Sequence, residues 1–179
     1  MAEMIKYQGS MDGLCGPYAI VNAFVHCGLE NPDDLFQTAC GAVSRRRWPG
    51  LLWLGTEIGD MEKMIAACRK KFPTAEAVNV RYPFKKNRPK NNDEFRDYLL
   101  ENLEIGALRQ CAILEITKPR WHWIVSHRES EKKLSFIDSD GPKNPRVKKL
   151  VTSLHAGTRR RDPNKWLLEL KSCIMFKAS

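Results

Sequence analysis

The run from Tyr18 to Cys27 is apolar at every position except Asn22 and His26. About three helical turns with so little polar surface can only be a helix buried on most sides. Gly28 supplies its stop, and Pro17 is tolerated because it falls in the first turn, where a missing N–H costs no intrahelical bond. A helix of this kind has to sit inside a core, so the rest of the chain must wrap it. The segment before it, Gln8-Gly9-Ser10-Met11-Asp12-Gly13-Leu14-Cys15-Gly16, places Cys15 at the helix N-terminus. Unpaired backbone N–H groups and the positive end of the helix dipole favour thiolate over thiol there. A free cysteine beside an apolar helix is otherwise an inert small hydrophobe. Gln8, seven residues upstream, can present its amide beside the Cys15 N–H as a second donor to an oxyanion. Gly13 and Gly16 are expected to leave room beside the sulfur for a substrate backbone.

The remaining elements follow in order. Asn31-Pro32-Asp33-Asp34 predicts a helix to about Cys40, and Ser44 to Gly50 a loop with concentrated positive charge. Thr56 is expected to cap a helix with Ile58, Met61, Ile65 and Cys68 on one face. Ala77 to Tyr82 predicts a short strand and residues 83–91 a proline-punctuated basic loop. Asn91 with Glu94 opens a further helix toward Gly106. From Cys111 the period changes to two, predicting strands over 111–116, 121–127, 134–138 and 166–176. Helices first and strands later make an α+β chain. Its 179 residues suit a single domain spanning 1–179.

Two of those strands carry polar residues of interest. His122 opens one and Asp138 closes the next. A hairpin turn centred on Ser130 sets His122 opposite Asp138, Ile124 opposite Phe136 and Ser126 opposite Leu134, with even-numbered side chains on one face. Directly opposed residues are close enough for Asp138 to accept the Nδ1 proton of His122, leaving Nε2 for a sulfur. Either residue alone has a plainer explanation, a satisfied core histidine or a turn-forming aspartate. With Cys15 and Gln8 they form an ordered set.

That set, Gln8, then Asp12-Gly13-Leu14-Cys15-Gly16-Pro17, a helix with Asn22, His122 and Asp138, resembles the papain-like cysteine peptidases. Within that superfamily it is similar to compact bacterial double-glycine leader peptidase domains. The resemblance covers roughly residues 8–24 and 121–141, with a fainter echo at Gly55-Thr56. Asp138 stands where papain has asparagine, and the spacing from Gln8 to Cys15 is one residue longer than papain's. The resemblance implies a papain-like fold, with a nucleophile helix packed on a mainly antiparallel sheet. It also implies a cysteine hydrolase that cleaves an amide or peptide bond through an acyl-enzyme. Cys15 would attack, His122 would exchange protons, Asp138 would orient the imidazole, and Gln8 would stabilise the oxyanion. Deamidase and acyltransferase chemistry would use the same residues.

Six scattered cysteines without a C-x-x-C pair, and four histidines without zinc-binding spacing, lead to the expectation of no metal, and no cofactor is implied. No segment approaches the roughly 18 apolar residues of a membrane span and no signal peptide is evident, so the chain is expected to be cytoplasmic. With Cys15 so near Met1, restraint is expected from a partner, from selectivity or from an occluding loop rather than from an N-terminal propeptide. Residues 44–55 and 83–91 are the candidates for shaping a groove. The net charge of +9 is concentrated at Arg45-Arg46-Arg47, at Lys85, Lys86, Arg88 and Lys90, from Lys143 to Lys149, and at Arg159-Arg160-Arg161. It favours an acidic protein or peptide as partner. A non-catalytic module binding nucleic acid, with Trp48 as a stacking residue, is the alternative from another class.

Overall fold

The computed structural model describes residues 13–118, 120–140, 146–150, 154–156 and 166–178. The apolar run forms α1 (Cys15–His26), with ten of its twelve residues buried, including the polar Asn22. Gly28, at φ +94°, ends it. The Gly28 and Leu29 N–H groups return to Val25 and Phe24, closing the last turn in the Schellman manner. The helices α2 (Pro32–Gly41), α3 (Trp48–Leu54), α4 (Ile58–Lys71), α5 (Pro73–Glu76) and α6 (Asn92–Asn102) follow. Eight strands complete the described residues: β1 (Val78–Arg81), β2 (Gln110–Lys118), β3 (His122–Arg128), β4 (Lys133–Ile137), β5 (Arg146–Leu150), β6 (Leu154–Ala156), β7 (Trp166–Leu168) and β8 (Ile174–Ala178). The architecture is α+β. No described helix is long and apolar enough to cross a membrane.

The strands form one sheet in the order β1-β8-β2-β3-β4-β5, with β7 alongside β2 and β6 alongside β7. All pairs are antiparallel except β6 with β7. Cys111, Ile113, Trp123, Val125 and Ile137 pack with α1, α2 and α4 on one face, while Ala112, Leu114, Ile124, Leu134 and Phe136 pack with Phe95 and Leu99 of α6 on the other. Covered on both faces, β2 is buried from Gln110 to Ile116 instead of alternating.

Several boundaries differ from expectation for local reasons. Trp48-Pro49-Gly50 is not loop: it opens α3, with Pro49 tolerated in the first turn. Glu57, not Thr56, caps α4, sharing a reciprocal capping box with Asp60. Thr56 is instead buried, and its carbonyl accepts the Trp123 indole N–H at 2.8 Å. The expected strand over 166–176 is broken by a 3-10 turn at Leu170–Ser172. Strands β5 and β6 were not expected at all. Arg47, one of the clustered cations, is committed internally to Glu57 and Asp60 at 3.0 Å each.

The two glycines beside Cys15 have a packing role. A Cβ on Gly16 would stand 2.6 Å from both Cβ and Oγ1 of Thr56 and 2.8 Å from Sδ of Met61. One on Gly13 would stand 2.9 Å from the carbonyl oxygens of Leu51 and Leu52. Gly16→Ala is therefore expected to destabilise the protein by about 1–3 kcal/mol. Gly59→Ala, in a helix with nothing within 4 Å of the new methyl, should stabilise it by about 0.4–1 kcal/mol. Thermal or urea denaturation of the two variants checks the opposite signs.

Candidate active site

Cys15 is the first residue of α1, 8% exposed, with Sγ 4.0 Å from the Gly13 carbonyl oxygen. As the first helical residue, its own N–H has no acceptor within the helix. His122 is the first residue of β3, and its buried side chain lies close enough to Cys15 for the two to interact. Its Nε2 lies 2.7 Å from Asp138 Oδ1. Asp138 directly follows β4, and the same oxygen accepts the Asp140 N–H at 2.8 Å. It is thus a turn former and a histidine partner at once. Gln8 lies outside the described residues.

The structure brings Cys15, His122 and Asp138 together by a route that departs from the expected pairing. Val125 faces Ile137, Ser126 faces Phe136 and Arg128 faces Leu134, a register two residues away from the expected one. The turn centres on Glu131, with the Glu129 and Ser130 N–H groups both reaching the Lys133 carbonyl. A two-residue slip keeps every side chain on its face, so alternation alone cannot distinguish the two registers. His122 and Asp138 consequently meet diagonally, beyond the last β3–β4 pair. The even-numbered positions, moreover, belong to the face away from α1. His122 reaches Cys15 because it stands at the strand end, where the sheet no longer separates its two faces. The ring nitrogen that meets the carboxylate is also not the one expected: it is Nε2 in place of Nδ1.

Burial works against the His122 imidazolium, but the hydrogen bonds to Asp138 and Cys15 and the charge of Asp138 outweigh it, raising its pKa from 6.5 to about 9. Burial likewise opposes the Asp138 carboxylate. His122, the Asp140 N–H and Arg120 overcome that and hold it below its ordinary value.

A groove of about 510 Å³ opens over Cys15 and His122. Its wall includes Trp53 and Leu54 at the end of α3, Thr56 between α3 and α4, Glu115 of β2, and Arg120, Trp121 and Asp140 around the strand ends. Of the two segments expected to shape a groove, 44–55 contributes and 83–91 does not. Glu115 was overlooked in the sequence, although a lone acid in the apolar stretch Cys111–Ile116 was a signal. Among the described residues no cluster of three or more His, Cys, Asp or Glu side chains is placed to hold a metal.

No protein-family model matches this chain, and no curated protein matches it by sequence. Solved structures do resemble it. The peptidase domain of Streptococcus ComA, a bi-functional ABC transporter involved in a quorum-sensing pathway, aligns over 100% of both chains with a TM-score of 0.53 and 15% identity. The Pseudomonas avirulence protein AvrPphB aligns over 91% of this chain and 89% of its own, with a TM-score of 0.37 and 7% identity. At such identities the first likeness is one of fold, and it bears out the papain-like α+β architecture: a buried helix bearing Cys15, packed on a mainly antiparallel sheet.

Because the folded His122 value lies above the ordinary 6.5, the stabilisation from its ion pair is complete below about pH 6.5 and is lost as pH rises through about 9. The His122 imidazole resonance in an NMR titration should show a midpoint near 9. The midpoint should fall in both Asp138→Asn and Cys15→Ala. The difference in melting temperature between wild type and Asp138→Asn should shrink between pH 6 and pH 10. A wild-type midpoint at or below the ordinary value of about 6.5 would contradict the geometry.

Proposed function

We propose that the protein is a cysteine-dependent hydrolase of amide or peptide bonds. The observation that carries this reading is the position of His122, which interacts with Cys15, stands 2.7 Å from Asp138 through its Nε2, and lines an open groove together with Cys15. The peptidase domain that shares the fold supports the choice of an amide over other carbonyl substrates.

In this mechanism Cys15 is a thiolate paired with the His122 imidazolium, which its raised pKa preserves through neutral pH. Sulfur attacks the carbonyl carbon, forming the C–S bond as the carbonyl π pair moves onto oxygen. The Cys15 N–H at the start of α1 is placed to donate to that oxyanion, and Gln8 is the second donor in the proposal. His122 then gives its proton to the leaving nitrogen as the C–N bond breaks, leaving a thioester. Water attacks the thioester, its proton passes to His122, and sulfur departs as thiolate with the pair restored. Asp138 holds the ring in plane and stabilises its charge without exchanging the proton.

Limiting iodoacetamide, followed by peptide mapping from pH 5 to 9, tests the nucleophile without knowledge of the substrate. Cys15 should be alkylated first, ahead of every other cysteine. Burial pushes the thiols of Cys40, Cys68 and Cys173 up to about 11, 12 and 12, so they serve as internal controls. His122→Ala should slow the alkylation of Cys15. On a panel of fluorogenic peptidyl amides, Cys15→Ala and His122→Ala should abolish turnover, Asp138→Ala should leave a residue of it, and Gln8→Ala should cost about 10²-fold or more. Labelling of Cys15 no faster than Cys40 would end the reading.

A further inference from the structure

Glu115 is the one charged residue between Gln110 and Ile116 of the doubly covered strand β2, and it is 7% exposed. Opposite Trp123 in the register, it points toward the α1 face. A carboxylate in such a place costs desolvation free energy unless hydrogen bonds recover it. Its partners are the Ser172 side chain and the indole N–H of Trp121. Trp121 itself is 72% exposed and directly precedes His122. A tryptophan left this open in water, yet tied down by its N–H to a buried acid, is held in one orientation with its apolar face unused. Trp53 and Leu54, 74% and 82% exposed, stand at the end of α3 on the same groove. Three large apolar side chains thus surround the Cys15–His122 floor, a concentration that marks a contact surface.

The charges of the groove narrow the choice of occupant. Its described lining carries three carboxylates, Glu57, Glu115 and Asp140, and two cations, Arg120, ion-paired to Asp140, and the His122 imidazolium, ion-paired to Asp138. Glu57 has its own partner in Arg47. No uncommitted cation among these residues waits for an acidic side chain, although the chain as a whole carries +9. Inside the groove the field opposes what the outer surface attracts.

We propose that Glu115 is a positioning residue that, through the Trp121 indole N–H, sets an aromatic wall beside His122, and that this wall, with Trp53 and Leu54, selects peptide substrates bearing a large apolar side chain, in preference to an acidic one, within two residues of the scissile carbonyl. The proposal rests on the assignment of Cys15 as nucleophile and extends it to a substrate class.

Peptidyl chloromethyl ketones, from which the Cys15 thiolate displaces chloride with formation of a C–S bond, provide the test. Two series, acetyl-Xaa-Ala and acetyl-Ala-Xaa with Xaa as Leu, Gly or Asp, are compared by their second-order rates of Cys15 alkylation. Each rate is divided by the iodoacetamide rate of the same variant. In at least one series leucine should exceed aspartate by about tenfold or more, the scale of discrimination that an apolar site offers. Trp121→Ala and Glu115→Ala should bring that ratio down toward one, and Glu115→Gln, which still accepts the indole N–H, should restore it. Trp121 is largely exposed, so Trp121→Ala keeps the test intact if Glu115→Ala does not fold. Equal rates for leucine and aspartate in both series, or a preference indifferent to Trp121→Ala, would overturn the proposal. Normal iodoacetamide labelling in the same samples would leave the nucleophile standing. Iodoacetamide labelling of Cys15 no faster than that of Cys40 would remove the hydrolase reading, and this inference with it.

Discussion

The N-terminal turn of α1 lies against Thr56 and Met61 only because residue 16 has no side chain. That contact decides where Cys15 stands. The rest of α1 is locked by apolar burial against β2 and β3, which fixes the axis of the helix but leaves its first turn to be placed by something local. Thr56 does this from one side and holds β3 from the other, through its carbonyl and the Trp123 indole N–H. One short segment before α4 therefore references both the helix that carries Cys15 and the strand that carries His122. A methyl group at residue 16 would force this turn, Thr56 or Met61 to move.

Cys15, His122 and Asp138 each sit at the end of an element: Cys15 at the start of α1, His122 at the start of β3, Asp138 just past β4. Strand and helix ends are where backbone groups lack partners and side chains are not committed to one face. Asp138 illustrates the economy of such a position. One oxygen terminates the strand by accepting the Asp140 N–H and orients His122 at 2.7 Å. The charge of the pair is then sustained by proximity against a burial that by itself would neutralise both groups.

The distribution of charge separates the outside of the molecule from its groove. Arg47, part of the densest cationic triplet described, is occupied with Glu57 and Asp60 in joining α3 to α4. Around Cys15 the lining is apolar and carboxylate, with its one arginine already paired. A count of lysines and arginines describes how the surface meets solvent and distant partners. It is silent about a groove whose lining carries the opposite sign.

What the sequence determined by itself was whatever depends on neighbours along the chain. The apolar run, Pro17 and Gly28 specified α1 and its two ends, and Asn91 capped α6 through the Glu94 N–H. The alternation around His122 and Asp138 placed the two residues on one face. Tertiary structure decided what depends on distance through space. A two-residue shift in the β3–β4 pairing leaves the alternation intact, so only the turn at Glu131 chose the register, and only the strand end let His122 reach a thiol packed on the other face. The ring nitrogen offered to Asp138 followed from that placement. Gly13 and Gly16 could not be read locally, because the atoms they make room for lie 38 to 45 residues further on, in Leu51, Leu52, Thr56 and Met61. Glu115 and Trp121, six residues apart, became partners only when β2 and β3 paired. A wall of the groove thus exists in the fold and nowhere in the order of residues.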